Sequence, residues 1–289
     1  MRVLLFVDGS AGAHAATAWL QRFTPTEPSA LRIVRIAQTL RAPAKPSSAR
    51  RTLRTMILER SRRVCEEARG QLAERWLDLG ADVIEGDPHE HLLRAAEQWK
   101  PDLVVLGRSG DAEPSGVLGS VARLGGYNLE CSVLLVYRAP ESVRQIVLGM
   151  DGSPSVREAI RLLSRLGFAP PPRVLALGIV DTSWRCGLDL KEVPPAVQVA
   201  LDEQQAQEAA DARAHLTRAS AALADRAIVE SEVVIGRPAE ILLDAARARA
   251  ADLLAVGHQG LEPVRRLTLG SVAAQLLAAA PCSLLIGRK

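Results

Sequence analysis

Gly86–Gly110 reads GDPHEHLLRAAEQWKPDLVVLGRSG, and Gly236–Gly260 reads GRPAEILLDAARARAADLLAVGHQG. Laid over each other at a constant offset of 150, the two stretches are identical at eleven of 25 positions. These are Gly86, Pro88, Glu90, Leu92, Leu93, Ala95, Ala96, Asp102, Leu103, Gly107 and Gly110, each with its partner. The match extends outward in both directions. LLFVDGS ending at Ser10 answers IVLGMDGS ending at Ser153, at an offset of 143, and Cys131-Ser132 answers Cys282-Ser283, at 151. The chain is therefore a tandem duplication of one domain-sized unit. The change of offset places extra residues in the middle of the second copy, around Trp184–Pro195. The boundary falls near Arg138–Gln145, which gives domains 1–140 and 141–289 of the 289 residues.

Each copy alternates short apolar runs with helical patterns. Val3–Val7 and Ile146–Met150 read as first strands. Ala13–Phe23 and Val156–Leu166 read as first helices. Leu31–Ala37 and Val174–Val180 are second strands, followed by long charged helices over Ser47–Leu79 and Ala196–Ala224. Third strands are expected at Asp82–Glu85 and Val229–Ile235, and helices at Glu90–Lys100 and Ala239–Ala250. Fourth strands are clear at Leu103–Leu106 and Leu253–Val256. A glycine loop, a helix and a last strand (Val133–Val136; Leu284–Ile286) close each copy. Strands that are apolar throughout and alternate with helices predict an α/β fold, with a doubly wound parallel sheet covered on both faces. Ligands of such sheets bind at the carboxyl ends of the strands.

Composition removes several function classes. Hydrophobic residues make up 48% and charged residues 24%, the balance of an ordinary globular chain. Aromatics are 3% and the net charge is +3, so neither a base-stacking surface nor bulk nucleic-acid binding is expected. No apolar run approaches the 20 or so residues of a membrane span. Cys65, Cys131, Cys186 and Cys282 are scattered without a CxxC, which argues for buried free thiols and a reducing cytoplasm. His14, His89, His91 and His215 lack metal-site spacing, and no metal site is expected. Arg41–Arg63 is strongly basic, but Leu53, Met56, Ile57 and Val64 recur within it at helical spacing. That pattern favours an amphipathic helix with a solvated charged face.

Two places at strand carboxyl ends carry chemistry. One is the aspartate after strand one, Asp8 or Asp151. The other is the loop after strand four: Gly257-His258-Gln259-Gly260, nine residues, then Gly270-Ser271. In the first copy the loop runs Gly107-Arg108-Ser109-Gly110, eight residues, then Gly119-Ser120. Glycine permits close backbone approach to a ligand, and the Gly-Ser opens a helix whose free N–H groups favour an anion. The alternative is that these glycines serve only as turns and caps. His258 is expected to be a polar surface residue of the loop, because its counterpart is Arg108.

At these residues the sequence resembles the universal stress protein family, whose mark is G-x2-G-x9-G-[ST] after the fourth strand with an Asp after the first. The second copy matches it in full through Gly257, Gly260, Gly270 and Ser271. The resemblance covers nearly the whole chain as two tandem domains. It implies a five-stranded parallel sheet in the order 3-2-1-4-5 in each, and ATP or a related adenine nucleotide, with Mg2+, at the switch point. It implies that Asp151 lines the ribose and adenine side and Ile179 the adenine. Val256, Gly257 and Gly260 would lie along the ribose and phosphates, with Gly270, Ser271 and Val272 holding the phosphates. By matching position the first copy offers Asp8, Ile36, Gly107, Gly110, Gly119, Ser120 and Val121. Its loop is one residue short and carries Asp111 and Glu113, where the second has Arg265 and Arg266. The second copy is therefore expected to be the better site for a phosphate chain. The family also commonly pairs its domains, which implies packing between the two halves and a homodimer.

Three functions compete. A regulatory protein whose partners respond to adenine nucleotide fits the complete motif best. An interaction protein of the same fold working without nucleotide fits it less well. A slow ATPase is the third, at most weak, since no Walker GK[ST] loop, Ser-His-Asp arrangement or evident general base accompanies the motif.

Overall fold

The computed structural model describes residues 1–38, 48–108, 118–182, 193–259 and 269–288. The chain divides into two compact units, Met1–Ser142 with Arg165–Gly167, and Val143–Ser164 with Phe168–Lys289. The first is built from β1 (Arg2–Phe6), α1 (Ala11–Leu20), β2 (Ala30–Ala37), α2 (Ser48–Leu72), β3 (Asp78–Glu85), α3 (Pro88–Trp99), β4 (Leu103–Gly107), α4 (Ser120–Asn128) and β5 (Ser132–Val136). The second repeats the order with β6 (Gln145–Met150), α5 (Pro154–Leu166), β7 (Arg173–Asp181), α6 (Pro195–Leu223), β8 (Ile228–Gly236), α7 (Pro238–Ala248), β9 (Leu253–Gly257), α8 (Ser271–Ala279) and β10 (Ser283–Gly287).

Strands in the first unit lie in the order β3-β2-β1-β4-β5, and in the second β8-β7-β6-β9-β10, all parallel. The register repeats as well. Val3 lies between Leu31 and Leu103, and its counterpart Ile146 lies between Val174 and Leu253. These central strands are buried on both sides, as a sheet with two helical layers requires. The edge strands β3 and β8 are only half-covered and carry Asp82, Glu230 and Glu232. The expectation of uniformly apolar strands fails there, because an outermost strand has a neighbour on one side only. One repeated identity has a purely structural explanation. Asp102 and Asp252 accept hydrogen bonds from backbone N–H groups at the starts of β1 (Arg2, 2.7 Å) and β6 (Arg144, 2.8 Å). Each thus fastens strand four to strand one.

Helix α2 corrects two expectations. It ends at Leu72 rather than Leu79, because β3 must start at Asp78 to pair with the whole of β2 from Ala30. Its buried stripe is Ser61, Cys65, Ala68 and Leu72, while Leu53 and Met56 stand in solvent, 40% and 59% exposed. The reason is length: 25 residues of helix span about 38 Å, and an eight-residue strand about 27 Å. Its first turns therefore overhang the sheet. The extra residues of the second copy fall between β7 and β8, and α6 takes up part of them at 29 residues against 25 in α2. Most of the stretch from Trp184 lies outside the described residues.

Cys65 and Cys282 are buried free thiols; Cys131 is half-exposed, against expectation, and Cys186 lies outside the described residues. Burial on α2 against β3 pushes the Cys65 thiol up to about 11. Its proton is then retained where the unfolded chain's thiol, near 9, gives it up. Stability should therefore fall as pH rises from about 9 to about 11, and be unaffected below that window. Urea unfolding at pH values on either side of the window tests this. The wild-type loss should exceed that of Cys65→Ala; equal slopes in the two proteins would refute it.

Candidate functional site

The turn after the first strand is built identically in both units. In each, the Asp side chain accepts from the Ser N–H two residues on: Asp8 to Ser10 at 2.9 Å, Asp151 to Ser153 at 2.8 Å. The intervening Gly9 and Gly152 sit at φ +83° and +74°, a region that favours glycine. The serine hydroxyl then caps the helix, Ser10 on Ala13 at 3.1 Å and Ser153 on Val156 at 3.2 Å. Asp-Gly-Ser is thus a strand-to-helix connector. It places Asp8 at the carboxyl end of β1.

In the first unit these ends open into a cleft of about 360 Å³, within the range of small-molecule sites. Asp8, Ile36, Gly107, Gly119, Ser120 and Val121 line it together. Gly110, Asp111 and Glu113 lie outside the described residues. Helix α4 starts at this cleft with Gly119 as N-cap and no side chain capping it, so its first N–H groups face the opening. Gly270 is likewise an N-cap without a side-chain cap for α8, which begins with Ser271 and Val272. Asp151 and Ser271 are exposed, and Ile179, Gly257, Gly270 and Val272 half-buried, at the corresponding strand and helix ends. Val256 is buried at the end of β9, and Gly260, Arg265 and Arg266 lie outside the described residues.

Several cleft residues escaped the sequence reading. Arg35, Arg108, Asp87 and His89 also line it. The signal was present in GDPHEH, since every loop after a strand converges on this end of a doubly wound sheet. Asp87 caps α3 by accepting from the His89 and Glu90 N–H groups, which hold its carboxyl below the usual range. It therefore brings a fixed negative charge to the first cleft. Its counterpart at the N-cap of α7 is Arg237.

The first glycine of the motif serves packing. A Cβ on Gly107 would lie 2.4 Å from the backbone carbon of Gly12 at the start of α1. On Gly257 it would lie 2.6 Å from the Ser155 hydroxyl and 2.9 Å from the Val156 nitrogen. The next residue differs between copies by an exchange of partners. Arg108 lays its guanidinium over the Tyr137 ring at 4.0 Å, whereas His258 lies beside the buried Arg288. His258 is half-buried with its Nδ1 enclosed, so the surface-residue expectation is corrected. Burial first, and then the Arg288 charge, hold its imidazole below the ordinary histidine range, so it is neutral at neutral pH.

Among the described residues, no group of three or more His, Cys, Asp or Glu could hold a metal ion, and no helix is long and apolar enough to cross a membrane. The chain is similar over 99% of its length to a universal stress protein from Archaeoglobus fulgidus, at 14% identity, 98% coverage of that chain and a TM-score of 0.62. A Pseudomonas aeruginosa protein of unknown function is similar over 99% of this chain and 92% of its own, at 12% identity and a TM-score of 0.59. In sequence, 53 residues are 47% identical to the Thermus aquaticus universal stress protein in the QAH/OAS sulfhydrylase 3′ region. That match takes in 18% of this chain and 39% of the relative. The model of the universal stress protein family matches twice, over residues 1–137 and 142–288. With two such domains making up almost its whole length, the chain belongs to the universal stress protein family.

Proposed function

We propose that this protein binds an adenine nucleotide, ATP with Mg2+, at the strand-carboxyl ends of its domains, and that occupancy regulates its partners in the cytoplasm. The observation that carries the reading is the first-unit cleft, where Asp8, Ile36 and the uncapped start of α4 meet. Ile36 offers an apolar surface to a base, Asp8 a carboxylate oxygen to a ribose hydroxyl, and the α4 N–H groups a seat for phosphate. Mg2+ commonly keeps several waters and takes most of its other ligands from phosphate, so it would need few protein contacts here. Backbone N–H groups, glycines and aliphatic side chains are means of holding a ligand, and a regulatory role follows from that furniture better than a catalytic one.

The second unit carries the tighter site in this reading. Besides the arginines of its loop it has Arg237, itself paired with Glu240 at 2.9 Å, where the first unit has the carboxylate of Asp87. A carboxylate about 4 Å from a phosphate charge costs about 4 kcal/mol at intermediate dielectric, and a cation at that distance gains as much.

Calorimetric titration of nucleotide-stripped protein with Mg-ATP tests this. Two unequal sites per chain are expected. Ser271→Glu should remove the tighter and Ser120→Glu the weaker. Glutamate suits the first turn of a helix, so both variants should fold at least as well as wild type while repelling phosphate. Equal sites would overturn the ranking. No binding at millimolar nucleotide would overturn the nucleotide reading and leave a protein-interaction role.

A further inference from the structure

A second cavity, of about 350 Å³, lies in the second unit between α5 and α6. Neither Ser271 nor any other residue placed at the nucleotide site lines it. Its floor is apolar: Met150 from the end of β6, Ile160 from α5, and Ala219 and Ala222 from α6. Its rim carries Arg157, His215 and Arg218.

Two features make this more than a packing gap. First, two arginines of the rim are not neutralised by acid. Arg161, also at the rim, is committed to Glu158 by two charge-assisted hydrogen bonds. Arg157 donates to the Gly152 carbonyl at 2.6 Å and Arg218 to the Ala214 carbonyl at 3.3 Å, and among the described residues neither meets a carboxylate. Second, the duplication supplies an internal control. Repeat offsets place His14, Val64 and Glu67 of the first copy where the second has Arg157, His215 and Arg218. The shared fold therefore does not require this cationic rim. His215 also shapes the wall: its ring lies so close over Gly152 that any side chain there would strike it.

We propose that this cavity binds a small amphipathic anion, an aliphatic carboxylate whose chain lies on Met150, Ile160, Ala219 and Ala222 and whose head group is held by Arg157 and Arg218. An apolar floor supplies affinity in proportion to the chain buried, and guanidinium groups select the carboxylate. Met150 and Gly152 flank Asp151, but no residue placed at the nucleotide site lines this cavity, and binding at either can fail without the other.

The probe is decanoate, titrated calorimetrically below its micellar concentration, with decanol and decylamine as controls. One decanoate site per chain is expected, with decanol at least tenfold weaker and decylamine not bound. Arg218→Glu and His215→Val install the first copy's own residues, which that helix tolerates. Together they should weaken decanoate at least tenfold and leave decanol unchanged. Ser271→Glu should leave decanoate binding intact. Equal binding of decanoate and decanol, or decanoate binding indifferent to the double substitution, would overturn the proposal. Ala222→Trp, which fills the floor, must abolish both ligands; retained binding would place them elsewhere and refute it.

Discussion

Trp19→Ala should destabilise the first unit by at least 3–5 kcal/mol, the range for emptying a fully buried aromatic site. Trp19 is completely buried on α1, with its ring edge-on to Phe23 at 5.4 Å between centroids. Its indole N–H donates to the Arg138 carbonyl at 2.9 Å. Alanine leaves a cavity and also strips a carbonyl of its partner, and the two costs add. The second copy fills the equivalent place with Leu162, also completely buried, and the partner position with Leu166. Leu162→Ala should therefore cost 2–5 kcal/mol with no hydrogen-bond component. Calorimetric melting should show a fall of roughly 10 °C or more for the tryptophan variant. A loss below about 1 kcal/mol would mean that α1 is not anchored as described.

Gly107→Val should be nearly as damaging. Even the first carbon of a side chain at Gly107 would meet the backbone of Gly12 and Ala13, at 2.4–2.8 Å, and backbone cannot rotate aside as a side chain does. Overpacking of that kind costs about 1–3 kcal/mol, more where helix and strand must separate. A glycine kept only for ligand approach would behave differently. Its replacement would lower nucleotide affinity and leave the melting temperature unchanged. The expected result is a lower melting temperature without ligand; an unchanged one would restore the ligand-approach role.

That glycine marks the line between what residues alone disclose and what they do not. The duplication, the alternation of strand and helix, and the convergence of Asp8 with Gly119 and Ser120 were legible in the linear order. Repeated spacing survives translation into structure because each repeat folds by the same local rules. The cleft residue Arg35 was not legible, because its neighbours in the cleft come from segments far apart in sequence, and Asp87 was signalled only by the convergence of the strand-end loops. The identity of His258 as a half-buried neutral group was hidden for the same reason. Its environment is set by burial and by Arg288, just past the last strand and 30 positions away.

Local patterning, read along the chain, was enough for fold class, repeat and motif, since periodicity and turn chemistry act over a few residues. Three properties waited on the packed structure. They are which face of α2 is buried, why the first motif glycine cannot carry a side chain, and where Arg157 and Arg218 meet over an apolar floor. Each depends on distances between segments remote in sequence, and those distances are fixed only when the sheet sets its register and the helices come to rest on it.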